Sequence, residues 1–220
     1  MSPRISFENE LKVLQDNVTD MVCKVEADYE QLFRALENQN EQEILRLLHN
    51  DKAVTKQQRE IESQCLFLIT RQQPIVGDLR VVTASLKVVT DIQRIGDHVS
   101  DMAELVLRLK MKDLSLFSAH IQGMITATRE MFCEAAEAFA GRNLQKAREV
   151  ISLDDVIDEL FNKVKQDLIR SLKREVKDAD ECIDVLMIAK YLEKIGDHAV
   201  NICEWEIFRE TGNMNEMRLL

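Results

Sequence analysis

A chain of 220 residues with 29 basic and 39 acidic side chains carries a formal charge of −10, which disfavours nucleic-acid backbones and anionic lipid as partners. Six glycines, two prolines and few aromatic residues describe a helical protein with few turns, and no run of short alternating strands is visible. Cys23, Cys65, Cys133, Cys182 and Cys203 are odd in number and lack a Cys-x-x-Cys pair. They read as small core residues in a reducing cytosol, not as a disulfide or zinc framework. No apolar run reaches the ~20 residues of a membrane span and no signal-peptide core is present, so the expectation is a soluble cytoplasmic protein.

From Ser6, read as an N-cap, the apolar positions Leu11, Leu14, Val18, Met21, Val25, Leu32 and Leu36 step by three and four, which predicts one helix over 6–37. Asn38-Gln39-Asn40 breaks it. Ile44, Leu47, Val54, Ile61, Cys65 and Leu68 carry a second helix, stopped by Pro74 and Gly77. Asp78 is the expected cap of a third, which keeps helical spacing from Leu79 through Val106 almost to Lys112. The plan then repeats: a helix over 116–140, a break at Gly141-Arg142-Asn143, a helix over 144–168, a polar turn at 177–180, and a last helix through Ile183, Leu192 and Trp205. A frayed tail is expected over 211–220.

That repetition is literal in one place. Ile95-Gly96-Asp97-His98 recurs as Ile195-Gly196-Asp197-His198, one hundred residues later, and 86–106 aligns with 186–206 without a gap. With an offset of 103, Met21, Asn40, Asp51 and Val54 fall on Met124, Asn143, Asp154 and Ile157. The predicted fold is all-α, a tandem repeat of two three-helix bundles over 1–113 and 114–220.

A helix turns by about 100° per residue, so with Gln93 at zero, Asp97 lies near about 40°, Asp101 near about 80° and Glu104 near about 20°. One face therefore carries a ladder of oxygen donors, repeated as Glu193, Asp197, Asn201 and Glu204. Carboxylates four apart repel, so the ladder needs a counter-charge: either a cation or the basic neighbours Arg94, Lys190 and Lys194. Asp154 and Asp158 on the preceding helix could join the same face, whereas the first half has Asp51 and Thr55 there. Oxygen donors without cysteine suit a hard or borderline divalent metal. His98 and His198 follow their aspartates directly and so point elsewhere, against a Glu-x-x-His di-iron site. Mid-helix Gly96 and Gly196 predict close helix crossings.

Asp91-Ile-Gln-Arg-Ile-Gly-Asp-His98, Leu192-Glu-Lys-Ile-Gly-Asp-His198, and Gln73-Pro74 followed by Asp78-Leu79-Arg80 closely resemble the PhoU family of phosphate-transport regulators, across essentially the whole chain. The resemblance implies a cytoplasmic negative regulator of phosphate uptake and of the phosphate-starvation response. Its partners would be the ATPase subunit of the Pst phosphate ABC transporter and a PhoR-type sensor kinase, through peripheral association with membrane complexes, and a homodimer is expected. It implies no catalytic residue. It also implies divalent metal (iron, manganese, zinc or magnesium) on Glu193, Asp197, Asp154 and Asp158 in the second half. In the first half the metal would sit on Asp97 and Asp101, and Asn201 is a further donor in the second half. Gln93 stands where that family has glutamate, Tyr191 stands where the first copy has Asp91, and Lys194 replaces arginine. The other function class open to the residues is a carboxylate-bridged, metal-dependent helical enzyme.

Overall fold

The described residues of the computed structural model, 3–72, 74–110, 112–173 and 179–213, form seven α-helices and no strand. They are α1 (Pro3–Glu37), α2 (Glu41–Gln72), α3 (Val76–Arg108), α4 (Ile121–Ala140), α5 (Leu144–Ile151), α6 (Asp154–Lys173) and α7 (Ala179–Thr211). The breaks after α1 and α4 are built alike. Gln39 and Arg142 both take positive φ (54° and 52°), closing each helix with a left-handed residue. The next side chain caps the following helix: Asn40 Oδ1 accepts from the Glu43 amide at 3.3 Å, and Asn143 Oδ1 from the Lys146 amide at 3.0 Å.

Four expectations about helix boundaries change. Helix α3 starts at Val76 with Ile75 as its cap residue and no side-chain cap, so Asp78 lies in its first turn. The helix ends at Arg108, where Lys112 Nζ folds back on the Val106 and Leu107 carbonyls at 2.9 and 3.3 Å. The expected helix over 116–140 begins only at Ile121, after a separate 3₁₀ turn, Leu114–Leu116, capped by Asp113. The helix expected over 144–168 is split at Ser152-Leu153. There the amides bond three residues back, to Glu149 and Val150, and the Ser152 hydroxyl takes the Glu149 carbonyl at 2.6 Å, tightening the turn into α6. Ser6's side chain, Gln73, part of the 177–180 turn and residues 214–220 lie outside the described residues.

Helices α1, α2 and α3 pack on one another, and α4 and α7 pack with α5 and α6, giving two three-helix bundles in which α5 and α6 share one helix's place. The bundles join along α3 and α7, and α1 also meets α4, so one hydrophobic core runs through both. Its largest fully buried side chains include Tyr29, Leu32, Ile92, Ile95, Met102 and Phe132, each contributing about 1.5–3 kcal/mol by burial. Both predicted glycine crossings are present. A Cβ on Gly96 would stand 3.3 Å from Val54 on α2, and one on Gly196 3.4 Å from Ile157 on α6, the residue that the repeat equates with Val54. Among the described residues, no helix is long and apolar enough to cross a membrane.

Candidate functional site

Helices α3 and α7 lie antiparallel. The Lys87 ammonium sits 5.9 Å from the Trp205 ring centre at one end, and Arg108 pairs with Asp184 at 2.8 Å at the other. Near the middle the two Gly-Asp-His segments face each other across a pseudo-two-fold, with the His98 and His198 rings 5.5 Å apart. Repetition of a sequence on two antiparallel helices produces this: each copy meets the other reversed.

The inward side chains form two related clusters. Asp91, 13% exposed at its side chain, accepts from His198 Nδ1 at 2.9 Å and from Asn201 Nδ2 at 3.0 Å. In the reciprocal cluster Tyr191 takes the place of Asp91. It hydrogen-bonds to Asp101, its ring lies 5.3 Å from His98, and His98 Nδ1 stands 3.8 Å from Asp101. Burial, then the charge of His198, lowers the His98 pKa to about 4, so this imidazole is neutral at physiological pH. Burial, then Asp101, raises the Tyr191 phenol.

The expected ladder therefore divides. Asp101 and Asn201, about 80° round from position 93, point into the α3–α7 seam. Positions 97, 193 and 197 instead meet basic or amide groups of their own helix. Asp97 accepts from Gln93 Nε2 at 2.5 Å and Arg94 Nη1 at 3.2 Å. Asp197 accepts from Lys194 Nζ at 2.5 Å, and Glu193 pairs with Lys190 Nζ at 2.6 Å. The hydrogen bond to Asp197 is the first cause of a raised Lys194 pKa, so the ammonium stays charged. Glu104 is exposed while its counterpart Glu204 is buried.

Among the described residues, no three His, Cys, Asp or Glu side chains are grouped to hold an ion. Glu193 and Asp197 lie one turn apart on α7, each paired with a lysine of the same helix. Arginine or lysine three residues before Asp97, Asp197 and Glu193 supplies a local counter-charge. On α6, Asp154 is half-buried and Asp158 exposed. Asp51's side chain lies outside the described residues.

Sequence reasoning missed Asp91 as the acceptor for His198 and Asn201. The signal available was its place two turns before His98 on the same face, together with its exchange for Tyr191 in the second copy. It also misplaced two cysteines, since Cys23 is exposed and Cys133 half-buried.

Comparison with known proteins places both halves. The PhoU domain matches the chain twice, over residues 18–106 and 121–205. A phosphate-specific transport system accessory protein PhoU homolog of Clostridium acetobutylicum is 32% identical over 212 residues, covering 96% of this chain and 97% of that protein. The PhoU homolog 1 of Thermotoga maritima is 31% identical over 218 residues, covering 98% and 94%. The crystal structure of the phosphate transport system regulatory protein PhoU from Streptococcus pneumoniae superposes with a TM-score of 0.88 at 26% identity, covering 96% of this chain and all of that one.

Proposed function

The chain belongs to the PhoU domain family, and from that membership we propose that it is a non-enzymatic, cytoplasmic negative regulator of phosphate uptake and of the phosphate-starvation response. The proposed partners are the ATPase subunit of a Pst phosphate ABC transporter and a PhoR-type sensor kinase. The observation that carries the reading is the match of both halves to the family, with the relatives' own description as accessory proteins of the phosphate-specific transport system. The seam agrees with it: Asp91 on one long helix accepts from His198 on the other, and the His98 and His198 rings lie 5.5 Å apart, so the two helices make a scaffold that presents surfaces.

Divalent metal belongs to the proposal only at Glu193 and Asp197, where an ion would first have to displace Lys190 and Lys194. The deciding experiment is deletion of the gene with a reporter for the phosphate-starvation response, alongside capture of the transporter ATPase and the kinase by the purified protein. The expected outcome is response switched on in high phosphate and recovery of both partners. Unchanged repression in the deletion strain would remove the reading.

A further inference from the structure

The second contact between the halves, α1 against α4, has a regular register. Tyr29 Oη donates to the Ile125 carbonyl at 2.7 Å, one turn further along Arg129 reaches Glu26 at 3.4 Å, and at the next turn Cys133 Sγ donates to Glu26 Oε1 at 3.0 Å. In antiparallel helices each turn back along α1 is matched by a turn forward along α4. Cys23, three residues before Glu26 and on its face, therefore comes level with Cys133. Both cysteines line one cleft of about 390 Å³ between the halves, with Val22, Val88, Ile92 and Phe139 among its walls. Thr19, Ala136 and Ala140 also line it, and such small side chains let two helices approach within the ~7 Å between Cα atoms that a disulfide requires. The other three cysteines, Cys65, Cys182 and Cys203, are buried.

We propose that Cys23 and Cys133 form a modification site, converted by a small-molecule disulfide of the glutathione class into one internal disulfide that ties α1 to α4. Cys23, the exposed member, attacks first. Its thiolate bonds to one sulfur of the small disulfide, whose S–S bond breaks, and the released thiolate takes up a proton. Cys133 sulfur then attacks Cys23 sulfur in the mixed disulfide. The second small thiolate leaves and receives the proton that Cys133 loses. Two protein thiols are oxidised, and one small disulfide is reduced to two small thiols. Burial and the hydrogen bond to Glu26 raise the Cys133 pKa to about 12, which leaves the first attack to the exposed Cys23.

The test is incubation of the full chain with oxidised glutathione, followed by thiol titration under denaturing conditions and mass spectrometry of a non-reducing digest. The expected result is a fall from five free thiols to three and a peptide pair linked through Cys23 and Cys133. In Cys133→Ser the reaction should stop at a glutathione adduct on Cys23, and Cys23→Ser should form neither product. Because the parent chain alone decides the matter, misfolding of either variant leaves the test intact. A parent that stops at the Cys23 adduct, stays unmodified, or links either cysteine to a buried one overturns the proposal.

Discussion

The two copies of Ile-Gly-Asp-His occupy equivalent places on α3 and α7, yet each is held by different chemistry. Around His198 a buried carboxylate, Asp91, accepts two hydrogen bonds. Around His98 the same place holds Tyr191, and the negative charge sits instead on Asp101 at the other end of the cluster. The repeat preserves spacing and helix crossing while moving the charge from one partner to the other. The α3–α7 seam is therefore symmetric in backbone and asymmetric in electrostatics.

The largest expected effect tests that asymmetry. Asp91→Ala leaves His198 and Asn201 facing no acceptor at a mostly buried site, and should cost about 2–3 kcal/mol in urea denaturation. Tyr191→Phe, which deletes one hydrogen bond and keeps the ring, should cost about 0.5–1 kcal/mol. Equal losses would mean the clusters are interchangeable.

Acid should separate the halves next. His98, bounded by Asp97, Arg94, Asp101, Tyr191, His198 and Lys194, has its folded pKa lowered from 6.5 to about 4. The unfolded chain then binds the proton first, so the stability tied to this group is complete above pH ~6.5 and is lost as pH falls toward 4. Discounted for partial solvent access, the loss is about 1–2 kcal/mol. Denaturation midpoints taken across that window should slope downward on acidification, and His98→Leu should flatten the slope. A slope unchanged in that variant would assign it to other groups.

The glycine crossings make a finer comparison. Gly96 is approached from two sides, by Val54 at 3.3 Å and Val25 at 3.5 Å, whereas the three nearest atoms at Gly196 all belong to Ile157, the first at 3.4 Å. Replacing a mid-helix glycine by alanine gains about 1 kcal/mol of helix propensity, which crowding opposes. Gly196→Ala should be neutral or stabilising by thermal melting, and Gly96→Ala less stable than it by about 1 kcal/mol. The reverse order would show that the second crossing is the tighter one.

The smallest effect concerns the paired carboxylates. Lys194→Ala should change stability by less than about 1 kcal/mol, because the pair is partly exposed. It should also strengthen manganese binding by calorimetry, by freeing Asp197 and part of Glu193. If the parent binds manganese as tightly as the variant, the lysine does not compete for that face.

The helical class, the tandem repeat, the breaks at Asn40 and Asn143 and the crossings at Gly96 and Gly196 were all legible in the sequence, because helical periodicity and cap chemistry act within a few residues. The same reading gave a ladder of carboxylates and left its counter-charge open. The split at Ser152 was not visible, since it depends on which carbonyl the serine hydroxyl takes. What only the tertiary structure decided is how the helices face one another. The antiparallel seam of α3 and α7 brings Asp91 to His198 and Asn201, brings Asp101 to Tyr191, and leaves Glu193 and Asp197 to lysines of their own helix. It likewise sets Cys23 and Cys133 on one cleft, although 110 positions separate them in the chain. Side-chain partners between helices depend on register and crossing, and no local pattern along a single helix encodes either.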